Sequence, residues 1–142
     1  MAEPADALVA LAALLREEET PISPHVIEPS EAPVFGLLTA SGPAAAADPA
    51  EYALVVEAIR EGYLLHYGEP RLLAGQDEDL ALLAGDYLYA LGLDRLAGLG
   101  DDRAVAILSE LIASCARLHA EDRAASVPAL WDEAARSLGA VN

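Results

Sequence analysis

The chain has 142 residues, 54% of them hydrophobic, and a formal net charge of −16 from 24 acidic and 8 basic side chains. That apolar content supports a sizeable core in one domain, and the charge excludes a phosphate backbone or an anionic lipid surface as a natural partner. All the basic side chains are arginine, which removes any Schiff-base or P-loop lysine, and the single cysteine, Cys115, cannot form an internal disulfide. Ala and Leu, both strong helix formers, supply most of the hydrophobic excess, so an all-α fold is expected, a small bundle of about five helices.

From the N-terminus, residues 1–19 read as a helix, with its periodic core at 4–18. Leu8, Leu11, Leu14 and Leu15 recur at helical spacing and Pro4 suits a first turn. The acidic run Glu17–Glu19 opposes the macrodipole at the C-terminal end, which predicts fraying. No positive charge precedes the apolar run, and it is too short to span a membrane, so a cytoplasmic protein is expected.

Residues 20–49 contain Pro21, Pro24, Pro29, Pro33, Pro43 and Pro49. Prolines at that density predict an extended segment, with Val34, Phe35 and Leu37 packed onto a core here or on a partner.

Residues 50–142 read as the bundle proper. A helix over 49–66 starts at Asp48-Pro49 with Glu51 reaching back, and ends at Gly68 and Pro70. Asp77 caps the next helix, about 78–97. Its acids Asp77, Glu78 and Asp79 suit a helix N-terminus, and a cation site is the alternative. In "LLAGDYLYALGLDRLA", Gly85 and Gly92 each cost about 1 kcal/mol against alanine, a cost that makes sense where another helix crosses closely. Asp86 lies in an apolar stretch and is expected to face water or a polar partner. Asp101 or Asp102 caps a helix that runs to about 124. Ser126 caps a last short helix that Gly139 stops.

Motifs for chemistry are sparse. His25, His66 and His119 form no metal-binding pair at i, i+4 spacing. There is no nucleophile elbow and no Gly-rich phosphate loop. Cys115 lies in an apolar helical pattern, where a buried inert thiol is expected.

Two stretches nevertheless carry a resemblance. "VVEAIREGYLLHYGEP" is similar to the helix of trans-type polyprenyl diphosphate synthases that ends in a Leu-(Leu/Ile)-His step before the Asp-rich DDxxD motif. "LALLAGDYLYALGLDRLA" resembles the next helix of that family, where Leu-Ala-Gly-Asp-(Tyr/Phe)-Leu recurs. Over residues 51–124 the order of segments also fits. The departures are as informative. Tyr67, Gly68, Glu69 and Pro70 stand where the first Asp-rich motif belongs, and no catalytic position carries over.

A chain of this kind resembles the small, non-catalytic subunit of two-component hexaprenyl or heptaprenyl diphosphate synthases, enzymes of isoprenoid and quinone biosynthesis. The resemblance implies part of an isoprenoid synthase fold and a hetero-oligomer. It also implies a catalytic partner that carries both Asp-rich motifs and the Mg²⁺, with no cofactor on this chain. Tyr63, Leu64, Tyr67, Tyr87, Leu88 and Leu91 would then form a prenyl-chain wall or the subunit interface, and Gly85, Asp86 and Gly92 the helix crossing. An all-α interaction module unrelated to isoprenoids is the alternative.

Overall fold

The computed structural model describes residues 2–141; Met1 and Asn142, within the expected terminal segments, lie outside them. Six α-helices and four short 3₁₀ turns account for the described architecture: α1 (Ala7–Glu17), α2 (Val34–Ala40), α3 (Pro49–Tyr67), α4 (Glu78–Gly98), α5 (Asp102–Ala120) and α6 (Val127–Gly139). There is no strand among the described residues, only one isolated antiparallel bridge between Val26 and Leu73.

The centre is α3. Twelve of its residues, from Tyr52 to Leu65, are buried around its whole circumference, because α1, α2 and α4 all pack on it. It divides the core in two. On one side Leu8, Leu11 and Leu15 of α1 meet Ala58, Leu65, Ala84 and Leu88. On the other, Val55, Ile59 and Tyr63 meet Leu108, Leu111 and Cys115 of α5 and Trp131 and Leu138 of α6.

Caps fix the starts of the three long helices. Asp48 accepts from Glu51 N, Asp77 from Leu80 N, and Asp101 from Ala104 N, each satisfying an amide that the first helical turn leaves unpaired.

Four expectations require correction. The segment 20–49, expected extended, contains α2. Residues 34–42 carry no proline, so one short helix fits between Pro33 and Pro43. Of the three residues expected to pack there, only Phe35 does, against the Trp131 cluster, while Val34 and Leu37 face outward. The buried face of α2 is instead Gly36 and Thr39.

Next, α5 stops at Ala120, not near 124. Asp122 adopts φ +58°, and the amides of Asp122 and Arg123 return to His119 O and Leu118 O. That is a Schellman stop built on aspartate where glycine is the usual signal. Ser126 provides no cap to α6; it belongs to a 3₁₀ turn over Ala124–Ser126.

At the acidic end of α1, Tyr87 Oη donates to Glu18 and Ser23 Oγ donates to Leu15 O, two tertiary contacts that act against the fraying expected from the dipole.

Candidate functional site

The two stretches that carry the resemblance meet at the crossing of α3 and α4. A Cβ on Gly62 would lie 2.9 Å from Gly85 O, and a Cβ on Gly85 3.1 Å from Gly62 O and 2.5 Å from the His66 ring. Seven residues along α4, Gly92 backs onto the Ile59 side chain at 2.8 Å on the same terms. Gly62, Gly85 and Gly92 therefore let the two backbones approach closely. Gly85 and Gly92 are at the crossing; Gly62, their counterpart on α3, is an addition from the structure.

Asp86 sits on the rim of this contact. Its Oδ1 lies 3.0 Å from His66 Nε2, with the aspartate largely exposed and the histidine largely covered. The approach is off the line of a hydrogen bond, and His66 Nε2 has no hydrogen-bond partner.

Around His66 runs a ladder of rings. Tyr89 stacks on His66 at 5.4 Å, His66 meets Tyr67 at 5.9 Å, and Tyr67 stacks on His119 at 4.0 Å and 7°. His119 Nε2 lies 2.7 Å from Tyr63 Oη. Tyr63 in turn meets Trp131 edge-on at 5.9 Å, and Trp131 meets Phe35 at 5.4 Å. Such contacts fix ring orientations beyond what area burial achieves. Burial pushes the Tyr63 and Tyr89 phenols up and raises the Cys115 thiol, which lies behind the ladder.

At the end of the ladder stands Arg60. Its guanidinium lies over three rings, 5.0 Å from Phe35, 5.2 Å from Tyr63 and 5.0 Å from Trp131. Burial lowers its pKa, and Arg71 nearby adds to that. The quadrupoles of three rings face this cation, and the Glu57 carboxylate adds attraction.

One helical turn away is a buried ion triad. Arg71 bridges Glu57 (2.6 Å) and Glu61 (3.0 Å); the arginine side chain is 7% exposed and both carboxylates 0%. Glu57 Oε2 also accepts from Gly36 N at 2.7 Å. Glu61 Oε2 accepts from the amides of Arg71 and Leu72 at 2.8 and 2.9 Å. All four carboxylate oxygens are thus engaged, and they pin both α2 and the 68–74 loop to α3. The position that follows Leu-Leu-His accordingly continues into a loop anchored by a buried arginine.

The six residues expected to form a wall or interface divide by burial. Tyr63 and Leu88 are in the core, Leu64, Tyr87 and Leu91 are partly buried against it, and Tyr67 is exposed. Tyr87 is held to α1 through Glu18.

None of the six lines either of two open grooves. One, of about 590 Å³, runs between α5 and α6 along Ile107, Leu111, Leu130 and Ala134. The other lies between the N-terminal segment and the start of α3.

Arg60, Trp131 and the Glu57–Arg71–Glu61 triad were not anticipated from the sequence, whereas the packing of Phe35 was. The triad had a visible signal. Glu57 and Glu61 stand four apart, beside Arg60, in a stretch from Tyr52 to Leu65 that is otherwise without charge, a placement that needs cations for any buried carboxylate.

No family model matches the chain, and neither a curated protein nor a solved structure matches it.

Proposed function

We propose that this chain is a non-catalytic, product-length-determining subunit of a heteromeric long-chain polyprenyl diphosphate synthase, working beside a catalytic subunit that holds Mg²⁺ on two Asp-rich motifs. One observation carries the reading. The Leu-Leu-His end of α3 and the Leu-Ala-Gly-Asp-Tyr stretch of α4 resemble consecutive helices of that family, and here they pack directly on each other at Gly62, Gly85 and the His66–Asp86 pair. The support lies in the glycines of that contact, Gly62 and Gly85, which fall inside the two resembling stretches and face each other across the crossing.

The division of labour follows from the residues. The helix end offers Tyr67 and Gly68 in place of paired aspartates, and the nearby Glu57 and Glu61 are saturated by Arg71 and backbone amides. Hard divalent cations need open carboxylate oxygens. This chain therefore contributes apolar surface, and the partner contributes the diphosphate chemistry. Tyr67, Leu64, Tyr87 and Leu91 are the members of the expected wall that retain accessible surface.

The test is affinity capture of the tagged chain from its native host, with the captured protein read by mass spectrometry. A prenyl synthase with two Asp-rich motifs is expected. Mixing the two chains should yield a long polyprenyl diphosphate that neither makes alone. Capture of an unrelated stoichiometric partner favours the all-α interaction module instead. A mixture with unchanged product length removes the product-length role.

A further inference from the structure

The groove between α5 and α6 belongs to none of the features above. Its floor is Ile107, Leu111, Leu130 and Ala134, and Ala106 leaves one wall low. The lining on α5 runs from Arg103 to Ser114 at steps of three and four, and that on α6 from Leu130 to Ser137 in the same way. These are facing ridges of two neighbouring helices, and the trough between them runs about 17 Å along α5 and about 10 Å along α6, two to three helical turns.

The charges on its two long walls are of one kind, and a single cation, Arg103, stands at one end. Glu110 stands on the α5 wall and Glu133 on the α6 wall, both exposed. Among the described residues neither takes part in an ion pair; Glu110 accepts only the Ser114 hydroxyl. Arg103 at the end of the trough is occupied with Ser137 O at the C-terminus of α6. An apolar trough thus carries an unpaired carboxylate on each side, in a chain of net charge −16. A second copy would bring the same charge to the same surface.

From this geometry we infer that the α5–α6 groove is a docking site for one amphipathic helix of another protein. That helix carries an apolar stripe two to three turns long, with Lys or Arg on both flanks. The stripe covers Ile107, Leu111 and Leu130, and the flanking cations pair with Glu110 and Glu133. This is the helix-in-groove mode of recognition, with the charges setting partner choice. The inference does not rest on the polyprenyl synthase reading, because it concerns a different face of the molecule.

The test uses the full chain, isotopically labelled, and two synthetic helical peptides of roughly three turns. Both carry one leucine stripe; one is flanked by lysines and its twin by glutamates. The lysine peptide is expected to bind saturably and to shift the amides of Ile107, Leu111, Leu130 and Ala134. The Glu110→Lys/Glu133→Lys variant should lose about tenfold in affinity for it and should take up the glutamate twin. Ala106→Trp, which fills the trough and leaves both carboxylates in place, should abolish binding while circular dichroism stays unchanged. Equal binding of the two peptides, binding that survives in the charge-reversed variant, or shifts that map elsewhere would overturn the inference. So would no binding at millimolar peptide, self-association through this face in light scattering, or groove shifts produced by a long-chain prenyl alcohol and not by the peptide.

Discussion

Replacing Arg71 by methionine is the most direct probe of what holds the centre together. Methionine retains most of the arginine stem and removes the charge. Left behind are Glu57 and Glu61, both 0% exposed, facing each other across the space the guanidinium held at 2.6 and 3.0 Å. Their amide donors, Gly36, Arg71 and Leu72, remain, but the cation bound to them does not; Arg60, the other guanidinium near Glu57, is held over three rings. Removing one partner of a buried ion pair costs about 3–5 kcal/mol, chiefly because the remaining charge is uncompensated.

For a chain of 142 residues, each kcal/mol moves Tm by about 3–5 °C, so a fall of about 10–20 °C is expected. Thermal melting with circular dichroism detection reads it. A second variant tests the same cause. Adding Glu57→Gln and Glu61→Gln to Arg71→Met removes the uncompensated charge and keeps an acceptor for each amide, so the triple variant should recover at least about half of the loss. A single variant that melts within about 3 °C of the parent, or a triple variant no more stable than the single, refutes the account.

Other expectations follow from the same contacts. Gly85→Ala places a methyl 2.5 Å from the His66 ring and 3.1 Å from Gly62 O. Overpacking at about 1–3 kcal/mol should outweigh the helix-propensity gain of about 1 kcal/mol, while Gly98→Ala, with nothing within 4 Å, should be neutral or mildly stabilising in the same urea titration. Burial, and secondarily the hydrogen bond to Asp101, push the Tyr52 phenol up to about 12 from 10.0. Its contribution to stability is then whole below pH 10 and lost as pH rises towards 12; Tyr52→Phe should flatten that limb of the stability curve. The Tyr52 hydrogen bond, followed by the Ala104 amide, holds Asp101 below the usual carboxylate range. Asp101 therefore stabilises above that range and ceases to do so as pH falls through its folded pKa, a limb that also shrinks in Tyr52→Phe. Cys115, 1% exposed with its thiol raised by burial, should resist a thiol-specific disulfide reagent in the native chain and react fully in denaturant. Immediate native labelling would contradict the packing around Trp131.

Some of this molecule was set by local chemistry and was readable as such. The caps Asp48, Asp77 and Asp101, the glycine end at Gly68, and the apolar periodicity of α1 are relations between residues within a few positions of each other. Helix formation depends on such neighbours, and so the all-α class and the starts of α3, α4 and α5 were legible. So was the cost of Gly85 and Gly92, because a glycine inside a strong helix signals a close approach even when its partner is unknown.

Tertiary structure alone decided the rest. A seven-residue helix such as α2 has little intrinsic stability. It forms because Gly36 and Thr39 reach Glu57 and Ala135, partners 21 and 96 residues away. Asp122 ends α5 by a backbone conformation that no composition rule assigns to aspartate. Arg60 found three rings from α2, α3 and α6, and Arg71 found two carboxylates on α3. Those choices turn on distances between elements, which the order of residues along the chain does not contain. The sequence determined which helices this protein could form; their packing determined which charges were buried, which rings met, and which apolar surface, between α5 and α6, was left open.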